Sequence, residues 1–144
     1  MEKILISSCL FGYNTTYNKS NHKLTRLDEL KKKYELVPFC NEVMGGLLIP
    51  RNPAEIKGNK VIDINGNDVT NNYLYGVSLA DKIIRKNNIK IAILKDNSPS
   101  CGSNYIYDGS FTHKLIKGEG ILAKALKEKG IIIYTEDTYL ELLK

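Results

Sequence analysis

At 144 residues, 42% hydrophobic and 26% charged, the chain has the size of one compact domain and too many aliphatic side chains for a disordered one. The balance of 21 Lys plus Arg against 16 Asp plus Glu leaves +5. Only Arg26, Arg51 and Arg85 carry the forked guanidinium that suits phosphate, so the charge points weakly to nucleic acid. No apolar run approaches the roughly 18 residues of a membrane span, and the N-terminal stretch lacks the apolar core and cleavage site of a signal peptide. A single cytoplasmic domain over residues 1–144 is expected.

Residues 3–9, KILISSC, read as a short buried strand followed by a polar, turn-rich loop. Leu27, Leu30 and Tyr34 at helical spacing predict a helix over 25–34, with Thr25 and Asp28 as a capping pair. A second apolar strand, 34–40, ends in Cys40, and the Gly- and Pro-rich stretch behind it reads as an irregular loop. Two short β-like pieces within 60–70 flank Asn65-Gly66, a hairpin signal. Tyr73, Val77, Ala80, Ile83 and Ile84 stripe a helix over 71–87, and 89–95 is a third buried strand. A helix carrying Ile121, Leu122, Ala125 and Leu126 stops at Gly130, and a fourth strand, 131–135, precedes a short terminal helix at 137–143. Continuous apolar strands alternating with helices predict a three-layer, Rossmann-like α/β fold. It has a mostly parallel sheet, helices on both faces and a small β-hairpin excursion.

Cys9, Cys40 and Cys101 each fall at, or a few residues past, the end of a predicted strand, where an open parallel sheet has its binding crevice. An odd number of cysteines does not make a disulfide framework, and a reducing compartment leaves such thiols free as ligands. Three thiolates suit a zinc ion with one open position or a 4Fe-4S cluster whose fourth iron is open to substrate. A zinc deaminase is excluded by the lack of an H-x-E element, and His22 and His113 read as exposed loop residues. Glu42, two residues after Cys40, is a candidate general base. Ser98 and Ser100, around Pro99, are turn residues that can also donate to substrate. Arg51 and Glu55 lie in a proline-braced loop suited to an anion or a carboxylate pair.

The segments SSCLFG, PFCNEVMGG, IPRNPAEI, LKDNSPSCGS, IYDGSF and GEGILAKALKEKGI follow one another in an order and spacing that resemble the TudS-like thiouracil desulfidase family, from about residue 3 to 136. The chain looks like a single-domain short member. The resemblance implies a 4Fe-4S cluster on Cys9, Cys40 and Cys101. It implies Glu42 as catalytic carboxylate, and a catalytic serine in the loop before the third cysteine, Ser98 by preference and Ser100 second. Ser8, Arg51 and Ser103 stand beside these as substrate-binding candidates. The implied reaction replaces the sulfur of a thiolated pyrimidine (free base, nucleotide or 4-thiouridine in tRNA) by oxygen from water and releases hydrogen sulfide. Two departures stand out. Asn41 occupies the middle of the family's C-P-E, and Thr16-Tyr17-Asn18-Lys19 replaces an R-Y-D-G-like element. The alternatives are a non-catalytic module that binds or senses thiolated nucleotides or sulfide, and a three-cysteine zinc hydrolase. The sequence leaves the oligomeric state open.

Overall fold

A computed structural model describes residues 1–144. In chain order they form β1 (Lys3–Ser7), α1 (Ser8–Phe11), α2 (Leu27–Lys33), β2 (Glu35–Phe39), α3 (Asn41–Met44), β3 (Ala54–Lys57) and β4 (Lys60–Asp63). These are followed by α4 (Thr70–Asn87), β5 (Ile91–Leu94), β6 (Tyr105–Tyr107), β7 (Leu115–Lys117), α5 (Ile121–Glu128), β8 (Ile132–Thr135) and a 3-10 helix (Tyr139–Leu143).

The main sheet is four-stranded and parallel, in the order β2-β1-β5-β8. Alternation along β1 sends Leu5 to one face and Ile4 and Ile6 to the other, all three fully buried. Leu5 packs with Ala92 and Leu94 of β5 against Ala80 and Ile84 of α4 and Leu122, Ala123 and Leu126 of α5. Ile4, Ile6 and Ile93 pack against Leu27 and Leu30 of α2 and Tyr139 and Leu142 of the 3-10 helix. Both faces are therefore covered, which explains why the strands read as continuous apolar runs. Pro38 is tolerated because β2 is an edge strand. No helix is long and apolar enough to cross a membrane.

The three-layer parallel architecture agrees with the sequence; several local features differ. The hairpin is formed by β3 and β4, which turn at Gly58-Asn59. Its first strand lies in the stretch that reads as irregular loop. Asn65-Gly66 makes a separate turn organised by Asp63, whose Oδ1 accepts the N–H groups of Asn65 and Asn67 at 2.9 Å each. A second antiparallel hairpin, β6–β7, lies in the loop after Cys101, where three-residue strands are too short to show a period. Helix α2 starts at Leu27, and no side chain caps it: Thr25 Oγ1 instead lies 3.4 Å from the Tyr139 hydroxyl. The first strand ends at Ser7, which places Cys9 inside a helical turn.

Helices α3 and α4 touch through glycine. A Cβ on Gly76 would lie 2.4 Å from both the backbone oxygen and Oδ1 of Asn41, and one on Gly45 would lie 2.0 Å from the Asn72 carbonyl oxygen. Gly76→Ala should therefore force the two helices apart and destabilise the fold by about 1–3 kcal/mol, the usual cost of overpacking. Denaturant unfolding measures this; an unchanged midpoint would mean that the contact is loose.

Candidate functional site

The strand order reverses at β1, which has β2 on one side and β5 on the other. In open parallel sheets the crevice outside the strand ends at such a point is where ligands bind. A cavity of about 400 Å³ lies there, and Cys9, Cys40 and Cys101 all line it. Cys9 sits in α1 directly after β1. Cys40 follows β2 and is the N-cap of α3, with its carbonyl accepting the Met44 N–H at 2.9 Å. Cys101 comes from the loop after β5 and is buried, with its sulfur 3.3 Å from the Ser7 hydroxyl that donates to it.

The Cys101 loop is held from two sides. The Ser98 Oγ accepts the Cys101 N–H at 2.6 Å, which leaves the Ser98 hydroxyl proton free to donate into the cavity that Ser98 lines. The loop carbonyls meet the start of α5. Pro99 accepts from Ile121 at 2.9 Å, Ser100 from Leu122 and Ala123 at 2.9 and 3.1 Å, and Gly102 from Gly120 at 2.6 Å. A helix leaves its first N–H groups without helical partners, and here the cysteine loop supplies them. Gly120 is needed because a Cβ would sit 2.3 Å from the Ser100 carbonyl oxygen. Ser100 is fully buried, lies outside the cavity wall, and its Oγ has no partner.

Glu42 and Arg51 face the same cavity with little side-chain exposure and pair at 3.3 Å, Arg51 Nη2 donating to Glu42 Oε2. The same nitrogen donates to the Thr15 carbonyl at 2.9 Å. Arg51 thus ties Glu42 to the loop after α1, while Glu42 Oε1 keeps no partner within the protein. Glu55 lines the same cavity without pairing with Arg51. Its Oε1 accepts the N–H groups of Gly109 at 2.9 Å and Phe111 at 3.2 Å, anchoring the YDGSF turn on β3. Ser8 is buried in the cavity wall. Ser103 lies outside it, its N–H donated to Asp96 at 2.9 Å and its carbonyl accepting from Lys127. His22 and His113 are exposed, as the sequence suggests, but stand at the cavity's edge.

The sequence model of the 2-thiouracil desulfurase family matches residues 4–138. The chain belongs to the 2-thiouracil desulfurase family. It is 37% identical to the uncharacterized protein YbbK of Bacillus subtilis (strain 168), over 97% of this chain and 99% of that one. A solved structure described as the [4Fe-4S]-dependent thiouracil desulfidase TudS is 39% identical, superposes with a TM-score of 0.92, and covers 99% of this chain and 95% of that chain.

Within this family member the charges around the thiols converge on Glu42. Burial, then Cys40, then Glu42 push the Cys9 thiol from its ordinary 9.0 up to about 12. Burial and Glu42 also raise Cys40, against the pull of the Val43 N–H and Arg51. Cys101 is raised well above the ordinary range by burial and then by Glu42, with Ser7 opposing. Desolvation and the Glu42 charge thus disfavour ionisation of all three thiols, a balance that bound metal would reverse, since it turns a coordinating thiol into thiolate. Three free thiols lining one cavity are a soft donor set of the kind that holds an iron-sulfur cluster.

Two features of the site were not visible in the sequence. Lys95, which follows β5, lines the cavity and pairs with Glu136 at 2.6 Å. Tyr73 reads as one more core residue of the α4 stripe, yet its side chain also lines the cavity. A polar tip on an otherwise aliphatic stripe was the available signal.

The raised thiols contribute to the pH response of the metal-free protein. For Cys9 the folded form keeps a proton that the unfolded chain loses above about pH 9, so its stabilising contribution is complete below pH 9 and is lost as pH climbs towards 12. Thermal melts of the metal-free wild type should fall more steeply across that interval than those of Cys9→Ala; parallel declines would contradict the assignment.

Proposed function

We propose that this chain is a single-domain, [4Fe-4S]-dependent desulfidase that converts a thiolated uracil and water into the oxo base and hydrogen sulfide. One observation carries it: three free thiols and an arginine-held carboxylate face one cavity at the switch point of the sheet. The family match and the likeness to TudS support the same reading. Cys9, Cys40 and Cys101 would hold the cluster, which when bound supplies a sulfur-seeking Lewis acid for the thiocarbonyl.

The protein's own groups supply the rest. Glu42, through the oxygen that Arg51 leaves free, accepts a proton from the attacking water. Arg51 holds the carboxylate in place and balances its charge, and Ser98 and Ser8 donate hydrogen bonds to the base. The C=S bond and water give C=O and hydrogen sulfide, so no external electron donor is required. The expected substrate is a free thiouracil, in keeping with the family description. With few arginines, the chain offers little of the forked phosphate recognition that an RNA ligand calls for.

Anaerobic reconstitution followed by iron and sulfide analysis, then turnover of 2-thiouracil, thiouridine monophosphate and thiolated tRNA side by side, tests this. Wild type should bind iron and sulfide and release hydrogen sulfide from 2-thiouracil. Glu42→Gln should keep its iron while turnover falls by about 10²–10⁴, the usual worth of a general base. Cys101→Ala should hold no cluster and show no activity. A Cys101→Ala variant with wild-type turnover would overturn the reading. Ser98→Ala should cost about 1 kcal/mol of stability through the lost Cys101 N–H bond and should lower turnover as well.

A further inference from the structure

Tyr73 stands in the first turn of α4 with its side chain almost wholly buried, 2% of the residue being accessible. Its backbone is tied to α3, where the Tyr73 carbonyl accepts a hydrogen bond from Asn41 Nδ2 at 3.1 Å. Yet its hydroxyl donates to nothing in the protein and accepts from nothing. Buried tyrosine hydroxyls normally find a partner. The oxygen is not sealed in, either. The only side-chain polar atoms that are both enclosed and unpaired are Asn41 Oδ1 and Ser100 Oγ, so the Tyr73 oxygen reaches the cavity that its side chain lines. There it is placed within the field of Glu42, Arg51, Cys40 and Cys101.

Resting on the desulfidase reading, we propose that Tyr73 determines substrate specificity, its hydroxyl donating a hydrogen bond to the exocyclic oxygen of the thiouracil ring, the one that is not exchanged. Neutral phenol offers one O–H donor. Thiouracil presents a carbonyl acceptor beside its thiocarbonyl, whereas an amino-substituted ring presents a donor there and an unsubstituted ring presents nothing. A site built to hydrogen-bond one substrate group rejects analogues that lack it. Burial first, and then the Glu42 carboxylate, oppose ionisation of the phenol, so it remains a donor.

The test compares reconstituted wild type and Tyr73→Phe, which keeps the ring and its packing. Iron content and melting temperature should be unchanged. Uracil binding measured by calorimetry, and kcat/KM for 2-thiouracil, should each weaken by about 3- to 10-fold, the size of one neutral hydrogen bond. For 2-thiopyrimidine, which lacks the exocyclic oxygen, kcat/KM should be the same in both proteins. Equal losses on both substrates, or no loss on either while wild type is active, would overturn the role of Tyr73 alone. A wild type that neither turns over 2-thiouracil nor binds uracil would overturn the proposed function and this inference with it. If Tyr73→Phe does not take up iron, a crystal structure of wild type with uracil decides. A base oxygen within hydrogen-bond distance of the Tyr73 hydroxyl supports the assignment, and its absence overturns it.

Discussion

The pairing of β1 with β2 on one side and β5 on the other is the constraint from which the site follows. Because all three strands are parallel, their C-terminal ends open on the same edge, and their chains must leave in different directions. Cys9 leaves β1 in a short helix and Cys40 leaves β2 as a helix cap. Cys101 returns from β5 through a loop locked to α5. Ser7, the last residue of β1, links the strands at this edge. Its hydroxyl donates to the Cys101 sulfur at 3.3 Å and accepts the Lys95 N–H at 3.1 Å. Residues distant in sequence are thereby held in one place by backbone geometry, reinforced by the Ser7–Cys101 and Arg51–Glu42 contacts.

Desolvation and the Glu42 carboxylate disfavour ionisation of all three thiols in the metal-free state, and nearby cations oppose that. Arg51 offsets Glu42, and Lys95 opposes the upward shift of Cys9. The Asn41 amide is fixed by its hydrogen bond to the Tyr73 carbonyl and by close packing on Gly76. This holds α3, and with it Glu42, against α4. Thr16 organises the loop after α1 through Ser20, accepting the Ser20 N–H at 2.7 Å, while Arg51 grips the neighbouring Thr15 carbonyl.

Much of this was legible in the sequence because the main strands are continuous apolar runs and the cysteines stand at their ends. What escaped was set by tertiary contacts. The β3 strand hides in a Pro-rich stretch because Glu55 is fixed by the distant turn at Gly109, a contact of 54 residues' separation. The role of Gly120 depends on Ser100 coming within 2.3 Å of its missing side chain, and nothing local announces that. Ser98 and Ser100 look equivalent around Pro99, yet a two-residue step turns one hydroxyl towards the cavity and buries the other. Tyr73 has the spacing of a core residue and is one; only its place in the cavity wall reveals a second use.

A four-iron cluster held by only three cysteines would leave one iron to the substrate. Mössbauer spectroscopy of the anaerobically reconstituted protein, labelled with ⁵⁷Fe, should then resolve one iron environment distinct from the other three and altered by adding 2-thiouracil. Four equivalent irons, indifferent to 2-thiouracil, would contradict it.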